Sequence, residues 1–189
     1  MSLPIHAAGL RSIEVLVIDD DHRSMELVVA ALMSCGINKA TRALTPAETH
    51  RHLGARPFDA ILMECDLRGE DAFALARQIR SAQDRPNASA PIVMLSQTTP
   101  LSRVLRARDV GANFTLAKPV SPQVLQERLL WIARCERRFV DMDSYRGPDR
   151  RVRSGPLPEG VEERREDALR LTSTPERELS QDEINNLFN

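Results

Sequence analysis

Residues 58–69 read Phe-Asp-Ala-Ile-Leu-Met-Glu-Cys-Asp-Leu-Arg-Gly, an apolar run that stops at two acids and a glycine. An apolar run of this length, bounded by turn residues, is typical of a strand buried on both faces of a parallel sheet. In open α/β sheets the functional sites lie at the carboxyl ends of the strands. Glu64 ends the run and Asp66 follows two residues later. This strand is therefore predicted to deliver carboxylates to that edge.

Four further apolar segments alternate with helical patterns on either side of this strand. They lie at residues 13–18, 37–44, 91–96 and 113–117. Helix signals separate them: Thr45 to Glu48 has the form of a capping box, and Gly111 follows the fourth helical pattern. Five alternations of strand and helix predict an α/β fold, a doubly wound parallel sheet with helices on both faces.

Polar side chains follow the predicted strands where each strand ends. Asp19 and Asp20 come after the first strand, Ser96 ends the fourth, and Lys118 follows the fifth. Neighbouring carboxylates repel each other, and a hard cation such as Mg²⁺ would offset that repulsion. The sequence thus predicts a charged site at the carboxyl edge of the sheet.

Taken in order, four segments resemble the receiver domain of two-component response regulators, over roughly residues 11–135. The segments are Val-Leu-Val-Ile-Asp-Asp-Asp from residue 15, Phe-Asp-Ala-Ile-Leu-Met-Glu from 58, Pro-Ile-Val-Met-Leu-Ser from 91 and Gly-Ala-Asn-Phe-Thr-Leu-Ala-Lys-Pro from 111. The resemblance implies a five-stranded, flavodoxin-like parallel sheet of order 2-1-3-4-5. It also implies a role in bacterial phosphorelay or chemotaxis signalling.

The resemblance also implies roles for individual residues. Asp20 would be a direct Mg²⁺ ligand and Asp19 an ancillary one. Ser96 would be the hydroxyl that follows the phosphoryl group, Thr115 would stand at the position of the switch aromatic, and Lys118 would pair with the phosphorylated site. Pro119 would follow a cis peptide bond.

Glu64 occupies the position of the phosphoacceptor, where the family has aspartate. Its carboxylate sits one methylene further out, and a displacement of about 1 Å can cost about 10²-fold in rate. Leu67-Arg68 and Asp71-Ala72 depart from the family pattern as well. We therefore expect a pseudo-receiver with weakened Mg²⁺ binding. Glu64 would either mimic the phosphorylated state by engaging Lys118 or leave a rigid docking platform.

Asp66 offers an alternative acceptor, because two residues along a strand return to the same face. If a longer strand presented Asp66, the chain would be a competent phospho-receiver. Cys65 lies between the two acids and reads as a small buried thiol.

The composition changes after the last predicted helix, whose apolar pattern persists from Pro122 to Phe139. We assign residues 11–138 to the receiver-like domain, 139–178 to a charged flexible linker in a mostly disordered tail, and 179–189 to a short amphipathic docking helix. Trp131 marks a second apolar stripe on the last receiver helix, which predicts a partner surface.

An arginine-rich segment lies inside the predicted linker. Arg150, Arg151 and Arg153 are candidate contacts to phosphate, since guanidinium groups bind phosphate well. The segment is similar in type to arginine-rich extensions of receiver-like effectors that bind cyclic di-GMP. A nucleotide second messenger is therefore a second alternative function.

The final residues carry the features of a docking peptide. Ser180 and Glu183 form a capping box, and the predicted partner-binding residues are Leu179, Ser180, Glu183, Ile184, Leu187 and Phe188. The segment resembles the amino-terminal peptide of the flagellar motor switch protein, which captures the phosphorylated chemotaxis regulator. It would bind a chemotaxis receiver or flagellar component in trans, or the chain's own last-helix surface in cis.

Composition limits the remaining classes of function. The net charge of −1 and the lack of a helix-turn-helix pattern argue against DNA binding. Three cysteines without a CxxC pair suit reduced thiols. No window of about 20 apolar residues predicts a membrane span. We expect a cytoplasmic protein whose output is protein binding, not catalysis.

Overall fold

The computed structural model describes residues 10–82, 86–134, 139–142, 145–149 and 177–188, without the side chain of residue 141. No helix in these ranges is long and apolar enough to cross a lipid bilayer. The three arginines predicted as phosphate contacts, Arg150, Arg151 and Arg153, lie outside the described residues.

Five parallel strands and five helices form the main body of the molecule. The strands are β1 (Glu14–Ile18), β2 (Lys39–Ala43), β3 (Ala60–Glu64), β4 (Ile92–Ser96) and β5 (Phe114–Ala117). The helices between and after them are α1 (His22–Ser34), α2 (Pro46–Ala55), α3 (Ala72–Ser81), α4 (Leu101–Asp109) and α5 (Pro122–Arg134). The strand order is β2-β1-β3-β4-β5 with every pair parallel. The predicted fold and strand order are confirmed.

The sheet is buried on both faces, as the apolar run at residues 58–64 predicts. Every residue of β3 and β4 is buried. Successive side chains point to opposite faces of a strand. Leu62 accordingly belongs to one apolar cluster, and Ile61 and Met63 belong to the other. This packing fixes the carboxyl ends of the central strands side by side.

Side-chain oxygens cap the amino-terminal ends of the first three helices. Asp21, Thr45 and Asp71 each accept a hydrogen bond from a backbone N–H of the helix that follows, which satisfies donors that have no intrahelical partner. Helix α4 differs, because it begins after Pro100, which provides no side-chain acceptor.

The segment after α5 differs from the prediction. The described part of helix α5 is Pro122–Arg134, and Phe139, the last residue of the predicted helical pattern, lies in a strand. Residues Phe139–Met142 (β6) and Tyr145–Pro148 (β7) form an antiparallel hairpin. Residues 139–142 and 145–148, which the sequence places in the linker, are thus paired strands. Helical spacing of apolar residues is a weak signal when strand pairing and tertiary contacts favour another structure.

Contacts with the end of α3 and with Gly111, which follows α4, hold the hairpin in place. The Arg80 guanidinium lies 5.6 Å from the centre of the Phe139 ring. A Cβ atom at Gly147 would lie 2.8 Å from the Cα of Gly111, and φ at Gly147 is +157°. Only glycine permits this close approach of two backbones.

The last helix, α6 (Gln181–Phe188), begins with the predicted capping box. The Ser180 hydroxyl accepts from the Glu183 N–H at 3.3 Å, and the Glu183 carboxylate accepts from the Ser180 N–H at 2.9 Å. Helix α6 lies against β5. The docking peptide is therefore in contact with the chain's own sheet.

Candidate functional site

The fold brings the predicted charged residues together at one edge of the sheet. Asp19 and Asp20 directly follow β1, Glu64 is the last residue of β3, and Lys118 directly follows β5. We call these four residues the acidic centre. The peptide bond between Lys118 and Pro119 is cis, as the resemblance implies.

Lys118 is the cation of the acidic centre. Its ammonium donates to the Asp19 carboxylate at 2.8 Å and to the Ser24 hydroxyl at 2.6 Å, and it also contacts the Glu64 carboxylate. Burial opposes the positive charge, but the hydrogen bonds to Asp19 and Glu64 outweigh it and raise the pKa of Lys118 above its ordinary value. The ammonium therefore stays charged between two buried carboxylates.

Both carboxylate oxygens of Glu64 have partners inside the protein. Oε2 contacts Lys118, and Oε1 accepts from the Asp66 N–H at 3.0 Å. The residue is 4% exposed. A nucleophilic carboxylate needs an accessible oxygen aligned with the incoming phosphorus, and this arrangement uses both oxygens to hold the side chain.

The carboxylates of the acidic centre already accept hydrogen bonds from donors of the protein. Mg²⁺ is usually held by one or two carboxylates and several waters, so these donors compete with a metal ion at Asp19 and Asp20. Asp19 Oδ2 accepts from Lys118 and Ser24, Asp19 Oδ1 accepts from Asp21 N–H, and Asp20 Oδ2 accepts from Arg68 N–H. Across the described ranges, no group of three or more His, Cys, Asp or Glu side chains is arranged to hold a metal ion.

Asp66 lies beyond the end of β3 and pairs with a residue of α4. Its carboxylate pairs with Arg103 at 2.6 Å, and 55% of its side chain is exposed. The longer strand that would present Asp66 on the face of Glu64 is not formed, because β3 ends at Glu64. A cation and a hydroxyl nevertheless lie beside Asp66, since Arg103 also donates to Ser96 at 3.0 Å.

The two predicted switch residues have different surroundings. The Ser96 hydroxyl donates to the Thr98 carbonyl at 2.6 Å and accepts from Arg103. Thr115 is fully buried, and among the described residues its hydroxyl has no hydrogen-bond partner. Thr115 contributes its backbone carbonyl instead, which accepts from Gln181.

Cys65 is a buried thiol beside the acidic centre, as predicted. Burial raises its pKa to about 12, and the negative charge of Glu64 adds to the effect. The thiolate is the reactive form of cysteine, so this thiol is inert near neutral pH.

The predicted docking peptide occupies the outer edge of β5. Ile184 and Phe188 are completely or almost completely buried, and Leu187 is half-buried. The Phe188 ring centre lies 5.1 Å from that of Phe114, and Trp131 contacts the same Phe114 at 5.8 Å. Trp131, predicted to meet a partner, therefore belongs to the cluster that receives the tail.

Sequence reasoning missed four residues that shape these sites: Ser24, Arg103, Glu178 and Gln181. Ser24 and Arg103 lie in the first turns of α1 and α4, which start at the same sheet edge as the acids. Their position in a helix that follows a strand is a usable signal. Glu178 and Gln181 carry no such signal, because their partners, Thr99 and the backbone of β5, lie far away in the chain.

Comparison with known proteins agrees with this geometry. The family model described as response regulator receiver domain matches residues 15–130. The phosphate regulon transcriptional regulatory protein PhoB of Pseudomonas aeruginosa is 28% identical over 120 residues, which cover 64% of this chain and 51% of that protein. The transcriptional regulatory protein KdpE of Staphylococcus aureus is 29% identical over 121 residues, which cover 64% and 50%. The chain spans about half the length of these relatives.

Two solved structures of similar fold match this chain over nearly their whole length. Chemotaxis protein CheY4 of Vibrio cholerae has a TM-score of 0.56 at 24% identity, covering 62% of this chain and 95% of its own, and supports the fold alone. The receiver domain of the sensor histidine kinase PA1611 of Pseudomonas aeruginosa PAO1 has a TM-score of 0.55 at 27% identity, covering 62% and 93%. A magnesium ion is coordinated in the active-site cleft of that domain.

Proposed function

The chain belongs to the response regulator receiver family, and from this premise we propose that it is a pseudo-receiver: it signals by binding a protein and does not accept a phosphoryl group. The observation that carries the proposal is the ion pair between Lys118 and Glu64. In an aspartyl-phosphate switch the lysine must be available to the new anion. Here a permanent anion already holds it.

Two further features support the absence of phosphoryl transfer. The Glu64 carboxylate is buried, and both its oxygens are engaged. The metal that would neutralise the transferred group meets carboxylates already bonded to Lys118, Ser24 and Arg68. We propose that Mg²⁺ binding is correspondingly weak and that the chain has no catalytic activity.

Of the two states left open for Glu64, the geometry favours mimicry of the phosphorylated form. A platform without a switch would need no contact between Glu64 and Lys118. The contact supplies the pairing that a phosphoryl group would otherwise make, so the output state is constitutive. The partner is then a protein that recognises this state without a kinase.

The partner class that we propose rests on resemblance. The final residues resemble the regulator-binding peptide of the flagellar motor switch protein, so a chemotaxis or flagellar protein in the bacterial cytoplasm is the first candidate. The free thiols Cys35 and Cys65 suit that reducing compartment.

A second candidate is a phospho-receiver that uses Asp66, because Asp66 is exposed and has Arg103 and Ser96 beside it. Its weakness is that Lys118 pairs with Asp19 and Glu64, whereas Asp66 pairs with Arg103. A nucleotide messenger has no comparable support, since its candidate arginines lie outside the described residues.

The test is intact mass after incubation with Mg²⁺ and a small-molecule phosphodonor. The native chain stays unlabelled, and Glu64→Asp gains one acid-stable, base-labile phosphoryl group, because the shorter side chain frees Lys118. The matched control is Glu64→Asp combined with Asp66→Asn, which stays labelled. Labelling of the native chain that disappears in Asp66→Asn alone would overturn the proposal in favour of the second candidate.

A further inference from the structure

A side chain makes hydrogen bonds with the backbone at the outer edge of β5. In the sheet order β5 is an outer strand, so one side of its backbone lacks a neighbouring strand. The side-chain amide of Gln181 accepts from the Ala117 N–H at 2.9 Å and donates to the Thr115 carbonyl at 3.2 Å. A primary amide has the donor and acceptor of a peptide group, so Gln181 takes the place of the next strand.

Apolar contacts next to this amide select a helical segment. Ile184 and Phe188 are four residues apart, which places them on one face of α6. They are 0% and 1% exposed and join the cluster that contains Phe114 and Leu129. An amphipathic helix in an apolar groove is a recurrent mode of peptide recognition.

An acid completes the contact at the start of α4. The carboxylate of Glu178 accepts from the Thr99 N–H, and the Thr99 hydroxyl donates to the Leu179 carbonyl at 2.7 Å. Pro100 gives α4 no side-chain cap. Glu178 therefore places a negative charge one residue before the N-cap Pro100, close to the helix end that favours such a charge.

We propose that the β5 edge, with the start of α4 and the Phe114 cluster, is a peptide-binding site and that residues 178–188 are its resident intramolecular ligand. The site takes a segment with an acid, a serine cap, a glutamine one residue after the serine, and two large apolar residues four apart. A partner protein binds there by presenting a segment of this chemistry and displacing the chain's own. The proposal does not depend on the phosphorylation state of Glu64.

Because the resident segment is covalently attached, it outcompetes a free peptide of equal affinity for the site. Effective concentrations of tethered ligands typically reach the millimolar range. A free peptide of the same affinity at micromolar concentration therefore displaces little of the resident segment. A successful partner must bind more tightly, or the resident segment must be weakened first.

The experiment measures binding of a fluorescent peptide, residues 177–188, to full-length variants by anisotropy. The release variant, Gln181→Ala with Phe188→Ala, vacates the site and binds the peptide at least tenfold more tightly than the native chain does. The matched control is Asn186→Ala, which changes an exposed position of the same helix and leaves the native affinity unchanged. A peptide that itself carries Gln181→Ala binds the release variant about fivefold more weakly than the parent peptide, since its hydrogen bonds to Thr115 and Ala117 are lost.

Equal affinity of native and release variants, or no binding to the release variant, overturns the proposal. Gln181→Ala alone shifts the affinity in the same direction by a smaller factor, so the test survives if the double variant does not fold. Light scattering measures whether a second copy of the chain occupies the site. If the native chain is a dimer and the release variant is a monomer, the intramolecular assignment is overturned. The assay uses no phosphodonor, so its outcome is separate from that of the Glu64 experiment.

Discussion

The acidic centre and the β5 edge are both filled by groups of the same chain, but these groups differ in how they are held. Lys118 directly follows β5, and its side chain, 12% exposed, lies between the buried carboxylates of Asp19 and Glu64. Gln181 reaches β5 from a segment attached 64 residues further along the chain. A side chain paired with two buried carboxylates is released only when the domain opens, whereas a docked segment is released by local unfolding. The first group fixes a state, and the second can be exchanged.

The largest effect is expected from a substitution in the acidic centre. Lys118→Met leaves the carboxylates of Asp19 and Glu64 buried without a cation, and loss of one partner of a buried pair costs about 3–5 kcal/mol. Urea denaturation at neutral pH measures the free energy of unfolding. The control is Lys39→Met at the chain's other lysine, whose side chain is 58% exposed and 3.7 Å from Glu14, and which changes stability by less than about 1 kcal/mol. A loss below about 1 kcal/mol at Lys118 would show that solvent or another cation reaches the centre.

The second prediction tests whether the acidic centre stays closed. A pKa of about 12 at Cys65 leaves little thiolate at pH 8, and the higher nucleophilicity of that thiolate offsets the scarcity only in part. We expect alkylation of Cys65 in the native chain to be about 30-fold or more slower than in the urea-unfolded chain. Peptide mass spectrometry follows each cysteine separately. Equal rates in the two states would mean that the centre opens readily, which would remove the contrast with the β5 edge.

The third prediction concerns the docked segment at the β5 edge. Gln181→Ala removes the acceptor of the Ala117 N–H and weakens docking by about 1 kcal/mol. Exchange of the Ala117 amide hydrogen with solvent then becomes about fivefold faster or more. Amide exchange by nuclear magnetic resonance measures this rate, with Asn186→Ala as the unchanged reference. Unaltered protection in Gln181→Ala would show that the segment's apolar residues alone close the edge.

The smallest effect is expected at Thr115, which lies between the two regions. Its hydroxyl is buried and lacks a partner among the described residues. Replacement by the isosteric valine removes a desolvated polar group, so Thr115→Val stabilises the fold by about 1 kcal/mol or less. Thermal unfolding detects the change. Destabilisation of that size would instead indicate that the hydroxyl is hydrogen-bonded in solution.

The sequence predicts the strands of this molecule and the charged residues at their carboxyl ends. Apolar runs locate the strands, and topology carries Asp19, Glu64 and Lys118 to one edge, so this cluster was predictable without coordinates. A contact of Glu64 with Lys118 was one of the two alternatives that the sequence left open. The partners of each oxygen were not predictable, because Ser24 and Arg68 enter through local helix and loop geometry.

Docking of the last segment was harder to predict for a physical reason. An eight-residue helix is marginal alone, so its periodicity shows an apolar face but not what covers that face. Cis and trans docking have the same sequence signature. The hairpin after α5 was missed for a related reason, since the contact of Phe139 with Arg80 depends on tertiary structure.

The contact of Glu178 with Thr99 has a consequence for synthesis on the ribosome. Thr99 precedes Glu178 by 79 residues, and chains elongate at about 5–20 residues per second. The start of α4 and the bare edge of β5 are thus exposed for on the order of ten seconds after the strands have emerged. An unpaired strand edge is a template for aggregation. The segment that later competes with partners therefore also ends the period in which the newborn chain exposes this edge.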